Sequence, residues 1–138
     1  MSKWLIGLAL LVLVGLTAAA QTSTAQTSEH TKDSLESVKQ AVGEGKAILL
    51  DVREKKEWDA GHLHDARLLP LSALIKGSIA ANELATLIPK DKVIYCHCAR
   101  GGRALLAADE LKKLGVEVRP LKQGYEELLK AGFTPAKN

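Results

Sequence analysis

One strand–loop–helix unit constrains the fold more than any other part of the chain. Residues 92–97 form a short, largely apolar run, residues 98–102 contain two adjacent glycines, and residues 103–114 have the spacing of an amphipathic helix. A second apolar run, residues 47–52, has the composition of a strand buried on both faces. Parallel strands of this kind are joined by helical crossovers. We therefore predict an α/β domain whose central, mostly parallel sheet carries helices on both faces.

The remaining elements follow from apolar spacing and from the glycine and proline residues that end each run. Asp33 and Glu36 have the spacing of a capping box, which predicts a first helix ending near Gly43. We also predict short strands at 68–69 and 116–119, and helices at 55–60, 80–87 and 125–130.

The N-terminus predicts export. Lys3 precedes an apolar run over residues 4–16, and small residues follow, so residues 1–20 have the pattern of a signal peptide. An uncleaved anchor is the alternative, although the run is short for a bilayer-spanning helix. Residues 21–30 are rich in Thr, Ser and Gln and are predicted to be a flexible linker, which leaves 31–138 as one domain. We expect a periplasmic or secreted protein with no membrane contact after cleavage.

Composition excludes two classes of protein. Two cysteines are too few for a disulfide scaffold. The net charge of the whole chain is +3, and no basic patch is interleaved with aromatic residues, so nucleic acid is not an expected partner.

Cys98 opens a loop whose composition favours a reactive thiolate. The loop continues through Ala99, Arg100, Gly101, Gly102 and Arg103 into the predicted helix. Its backbone N–H groups, the helix N-terminus and the two arginines would each stabilise a negative charge on sulfur. The loop is therefore suited to sulfur chemistry or to binding an anion.

Other polar residues flank this loop or reach the same edge of the sheet. Asp51 and Arg53 follow the strand at 47–52, and the carboxyl ends of parallel strands share one edge. Strand alternation places Cys96 on the face of Cys98 and His97 on the opposite face. Cys96 is interpreted as a packing residue, with a resolving thiol or a strained Cys96–Cys98 disulfide as the alternatives. No second ligand cluster has zinc spacing, so no metal is expected.

These residues resemble the rhodanese (thiosulfate sulfurtransferase) family of the single-domain type. The family loop Cys-x-x-Gly-x-Arg fits only when it is counted from Cys98, and its length distinguishes it from the longer loop of related phosphatases and arsenate reductases. Gly is usual in the family where Asp65 and Gln123 stand, and the second loop position is Ala99 where a small polar residue is common. The resemblance spans about 33–135, with matching segments at 50–54, 58, 61–63, 66, 70, 95–104, 124–125 and 131–133.

The resemblance implies a rhodanese-like three-layer domain and a sulfurtransferase that needs no cofactor. Cys98 would be the nucleophile that takes sulfane sulfur from a thiosulfate-like anion as a persulfide. A thiol, cyanide or a protein would then accept that sulfur. Residues 99–103 would bind the donor, although a structural salt bridge is the alternative for Arg103, and Asp51 and Arg53 would form a structural ion pair. Two other functions stay open: a persulfide carrier serving a protein partner without turnover, and a thiol-redox protein that uses Cys96 and Cys98.

Overall fold

The computed structural model describes residues 27–137, which contain six helices and four strands. The predicted signal peptide and residues 21–26 of the predicted linker lie outside the described residues. Within 27–137, none of the helices has the length and apolar character needed to cross a membrane. In chain order the elements are α1 (Leu35–Gly43), β1 (Ala47–Asp51), α2 (Lys55–Ala60), β2 (Ala66–Leu68), α3 (Leu71–Lys76), α4 (Ala81–Leu87), β3 (Val93–His97), α5 (Gly102–Lys113), β4 (Arg119–Pro120) and α6 (Tyr125–Lys130).

The sheet has the order β2-β1-β3-β4, and every neighbouring pair of strands is parallel. The two apolar runs that predicted buried strands form its central pair, β1 and β3. Their register places Leu50 opposite Cys96 and Asp51 opposite His97. Both strands end at the same edge, so the residues that follow them are brought together as predicted.

Side chains of the central strands alternate between two cores. Leu50 and Ile48 point into a core shared with α3, α4 and α5, whereas Leu49 and Ala47 point into a core shared with α1 and α6. The prediction of an α/β sandwich of helix, sheet and helix is confirmed, with a sheet that is parallel throughout.

Three elements differ from the predictions by more than one residue at an end. Helix α3 was not predicted, because Pro70 was interpreted only as the end of a strand. Pro70 is the N-cap of α3, where its φ of −59° is compatible with a helix start. Strand β4 has two residues where the sequence predicted 116–119, and β2 lies slightly earlier than predicted, at Ala66–Leu68.

The predicted capping box at the first helix is wrong. The N-cap is Ser34, whose side chain accepts the N–H of Ser37. The Asp33 carboxylate instead accepts hydrogen bonds from the Tyr95 hydroxyl and from Arg119. These contacts lower the pKa of Asp33 and connect the start of α1 to the sheet.

Candidate active site

Cys98 lies between the carboxyl end of β3 and the N-terminus of α5. The residue is 1% exposed, and the Gly101 N–H donates a hydrogen bond of 3.0 Å to its sulfur. Gly101 is the N-cap of α5 and has φ of 93°, in the left-handed region that glycine adopts at low cost. The sulfur therefore lies beside the N-terminus of a 12-residue helix, the end that carries the positive partial charge of the helix dipole.

The segment that precedes α6, residues 122–124, packs directly against the Cys98 loop. A Cβ atom on Gly124 would lie 1.7 Å from the Ala99 carbonyl oxygen, and one on Gly101 would lie 2.5 Å from the Lys122 carbonyl oxygen. The Tyr125 N–H donates a 3.0 Å hydrogen bond to the Cys98 carbonyl. Gly124 and Tyr125 belong to the family pattern, but their close packing against the loop was not predicted. The sequence feature that could have indicated this close approach is a glycine directly before a predicted helix.

The other side of the loop is open to solvent. A shallow depression of about 430 Å³ is lined by Cys98, Ala99, Arg100, Gly102 and Arg103. Ala99 and Arg100 are exposed, whereas Gly101 is buried beneath them. The structure therefore brings together the loop residues that the sequence singled out, and it leaves Arg100 at the surface.

Arg103 forms a bidentate salt bridge with Glu57 of α2, with nitrogen–oxygen distances of 2.6 and 2.8 Å. The Arg103 guanidinium holds the pKa of Glu57 near 2, well below its ordinary value of 4.5. Glu57 also accepts the Glu54 N–H as part of the capping box of α2. The salt-bridge alternative for Arg103 is thus present in the structure, and its role in donor binding stays a prediction. Glu57 was not predicted as the partner of Arg103.

Asp51 and Arg53 form the predicted buried ion pair. Arg53 donates to both carboxylate oxygens of Asp51, and its second terminal nitrogen also donates to the Gly61 carbonyl at 2.8 Å. The guanidinium lies 4.2 Å from the centre of the Tyr125 ring, a cation–π contact. This pair therefore connects the end of β1 to α2 and to the start of α6, beneath the Cys98 loop.

Cys96 and Cys98 are free thiols in the same core, which confirms that they share a face. Cys96 is fully buried and donates a weak hydrogen bond to the Ala104 carbonyl at 3.4 Å. Burial, with a smaller effect of Cys98, raises the pKa of the Cys96 thiol well above its ordinary value. Cys96 is therefore a protonated packing residue in this state of the protein.

His97 points to the opposite face, where it is fully buried beside Asp51. Its Nδ1 lies 3.2 Å from the Cys98 carbonyl, which can only accept, so Nδ1 carries the proton. Burial lowers the pKa of His97 and keeps the ring neutral. Among residues 27–137, no group of three or more His, Cys, Asp or Glu side chains is placed to hold a metal ion.

Residues 34–131, well over half of the chain, match the family model of the rhodanese-like domain. The chain belongs to this family. Its rhodanese-like domain is 40% identical over 86 residues to the uncharacterized protein YqhL of Bacillus subtilis, a match covering 62% of this chain and 63% of that protein. It is 34% identical over 70 residues to the probable adenylyltransferase/sulfurtransferase MoeZ of Mycobacterium tuberculosis, covering 51% of this chain and 17% of MoeZ. The rhodanese-like domain thus spans less than two thirds of the length of these curated relatives.

Two solved structures have the same fold as this rhodanese-like domain. The human single-domain sulfurtransferase TSTD1 is 27% identical with a TM-score of 0.60, over 71% of this chain and 94% of that one. Protein hp1203 of Helicobacter pylori is 30% identical with a TM-score of 0.55, over 68% of this chain and 81% of that one. Nearly the whole of the human protein therefore aligns in structure with part of this chain.

Proposed function

We propose that this protein is a sulfurtransferase in which Cys98 carries sulfane sulfur from a thiosulfate-like anion to a thiophilic acceptor. The observation that carries the proposal is the 3.0 Å hydrogen bond from the Gly101 N–H to the Cys98 sulfur, at the N-terminus of α5. Membership of the rhodanese-like family and the sulfurtransferase names of two similar proteins support it.

The reaction has two balanced half-reactions. The Cys98 thiolate attacks the outer sulfur of thiosulfate, the S–S bond of the donor breaks, and sulfite leaves with its electron pair. The product is a Cys98 persulfide, whose terminal sulfur bears the negative charge. An acceptor such as cyanide then attacks that terminal sulfur, and the Cys98 thiolate is regenerated as thiocyanate departs. Neither half-reaction needs a cofactor or an external oxidant.

The two arginines of the loop have different roles in this proposal. The charge of Arg103 is balanced by Glu57 at 2.6 Å, so this residue mainly fixes the start of α5. Arg100 is exposed at the mouth of the depression, forms no salt bridge within residues 27–137, and supplies the positive charge that attracts an anionic donor. The backbone N–H groups of the loop then hold the anionic persulfide.

A carrier function is the second candidate, and the open shape of the site favours it over the redox function. The depression is shallow and Ala99 is exposed, so a protein partner can contact the loop that surrounds the buried Cys98 sulfur. A redox function would require Cys96 to act as a second nucleophile. Cys96 is fully buried and its pKa is raised, which argues against that role.

The decisive test is thiocyanate formation from thiosulfate and cyanide by the wild-type protein and by Cys98→Ser and Cys96→Ser. We expect turnover that is abolished in the Cys98 variant and largely kept in the Cys96 variant. A stable Cys98 persulfide, detected by mass spectrometry, with negligible turnover would instead indicate the carrier function. Loss of activity in both variants, with both folded, would indicate the redox function.

We also propose that the protein is exported and cleaved before Gln21. The support is the sequence pattern of residues 1–20. Expression of the full chain in a Gram-negative host, followed by fractionation and intact-mass measurement, tests the proposal. A periplasmic species that begins at Gln21 is expected. A membrane-bound species of full mass would support the anchor alternative instead.

A further inference from the structure

A short segment ahead of the family match contacts the active-site loop. We call residues 28–31 the N-terminal strap. The Ser28 N–H donates to the Asp109 carboxylate of α5 at 2.7 Å, and the Thr31 N–H donates to the Pro120 carbonyl of β4 at 2.8 Å. The family match begins at residue 34, and residues 28–30 fall in the predicted flexible linker. These contacts place the strap against the domain.

His30 is the strap residue that reaches the loop. Its Nε2 atom lies 3.0 Å from the Gly101 carbonyl oxygen. A carbonyl can only accept, so Nε2 carries the proton and donates. Gly101 is also the residue whose N–H reaches the Cys98 sulfur. The two backbone polar groups of Gly101 are therefore both hydrogen-bonded, its carbonyl to His30 and its N–H to the Cys98 sulfur.

We propose that His30 is a positioning residue for the sulfur-binding loop: its hydrogen bond to the Gly101 carbonyl holds the Gly101 N–H on the Cys98 sulfur. The proposal rests on the proposed function in one respect, the role of Cys98 as the nucleophile. It assigns a function to a side chain that precedes residues 34–131, the part of this chain that matches the family.

The conformation of Gly101 explains why such a contact matters. Its φ of 93° lies in the left-handed region, where a glycine has many alternative conformations to adopt if it is released. A Cβ at this position would lie 2.5 Å from the Lys122 carbonyl oxygen and 3.2 Å from His30 Nε2. The residue is therefore enclosed between these two groups. Removing one of them leaves the loop free to turn its N–H away from the sulfur.

The test compares His30→Ala, which removes the donor, with His30→Gln, whose side-chain amide can place a donor at a similar distance. His64→Ala is the matched control, because His64 is an exposed histidine remote in sequence from the loop. Two quantities are measured in each folded variant: the rate of Cys98 alkylation by iodoacetamide, located by mass spectrometry, and kcat and KM for thiocyanate formation. Thermal unfolding verifies that each variant is folded.

We expect His30→Ala to lower the alkylation rate and kcat about three- to tenfold, the effect of losing one hydrogen bond at the site. His30→Gln restores most of both, and His64→Ala changes neither. A wild-type alkylation rate in His30→Ala, or no recovery in His30→Gln, would overturn the proposal. If His30→Ala does not fold, His30→Asn replaces it, because its shorter amide does not reach the carbonyl.

The alkylation rate also separates this proposal from the proposed function. If no variant forms thiocyanate but alkylation still falls in His30→Ala and recovers in His30→Gln, the thiosulfate reaction is wrong and the positioning role stands. If thiocyanate formation is normal in the wild type and neither quantity responds to His30, the sulfurtransferase stands and the positioning role is wrong.

Discussion

Replacing Gly124 with alanine tests whether the tight packing beneath the Cys98 loop is required. Gly124 has φ of −90° and ψ of −179°, which any residue adopts, so the substitution causes no backbone strain of its own. The added methyl group is the entire perturbation. It would lie 1.7 Å from the Ala99 carbonyl oxygen and 2.9 Å from the Arg100 nitrogen. Both are backbone atoms of the loop, and neither can rotate away as a side chain would.

The expected cost follows from how far the loop must move. Cβ atoms essentially never approach another heavy atom within 3.0 Å, so Ala99 or Gly124 must shift by more than 1 Å. Overpacking of this kind costs about 1–3 kcal/mol, and the Tyr125 N–H bond to the Cys98 carbonyl, worth about 1 kcal/mol, lies in the path of the shift. We expect Gly124→Ala to lower the free energy of unfolding by about 3 kcal/mol and to remove most of the sulfurtransferase activity.

Urea unfolding measures the stability change, and the thiocyanate assay measures the activity of the folded fraction. Gly43→Ala is the matched control, because Gly43 is the last residue of α1 and nothing lies within 4 Å of its added methyl group. This control should be neutral or stabilise the protein by up to about 1 kcal/mol, because alanine favours a helix over glycine. A Gly124→Ala protein that has normal activity and a free energy of unfolding within about 1 kcal/mol of the wild type would show that the tight packing is not required.

Three further predictions concern charged side chains. The pKa of Glu57 is about 2 in the folded protein and near 4.5 in the unfolded chain. The ionised carboxylate therefore adds to the free energy of unfolding above pH 4.5, by about 1 kcal/mol once its exposure is taken into account. This stabilisation is lost as the pH falls from 4.5 towards 2. Urea unfolding should therefore show wild type more stable than Glu57→Gln near neutral pH and equal to it in acid; a constant difference would contradict this. Asp51→Ala leaves the Arg53 charge buried and should cost about 3–5 kcal/mol in the same assay, whereas a cost below about 1 kcal/mol would show that the charge reaches solvent. Arg100→Ala should raise KM for thiosulfate several-fold at low salt, with kcat nearly unchanged and Arg100→Lys close to wild type; a salt-independent fall in kcat would contradict a steering role.

The sequence predicted the parts of the fold that depend on local patterns. Helices α2 and α6 have the predicted bounds, because a glycine follows each helical run at or near its end. The central strands were also predicted, since a short unbroken apolar run is typical of a strand that is buried on both faces of a sheet. Helix α3 was missed because Pro70 fits both the end of a strand and the start of a helix, and only the tertiary contacts of Leu71 and Leu74 decide between them.

The candidate site divides in the same way. The loop register and the Asp51–Arg53 ion pair were predicted from the resemblance to the rhodanese family, whose pattern involves residues that are close in sequence and lie at strand ends. The residues from distant parts of the chain that contact the loop could not be predicted. Glu57 is 46 residues from Arg103, and His30 is 71 residues from Gly101. No local pattern indicates which of many surface carboxylates or histidines will meet a particular loop once the chain has folded.

Support for the sulfur-binding loop from distant parts of the chain has a physical reason. In the proposed mechanism the Cys98 sulfur needs backbone N–H groups that point inward, and a loop held only by its own strand and helix would lose that geometry by rotating its glycines. Glu57 fixes Arg103 at the start of the helix, Gly124 allows the next segment to press on Ala99, and His30 holds the Gly101 carbonyl. Each contact restrains a different atom of the loop. Preorganisation of the proposed sulfur site is therefore a property of the whole fold, whereas the choice of Cys98 as the proposed nucleophile rests on the loop sequence alone.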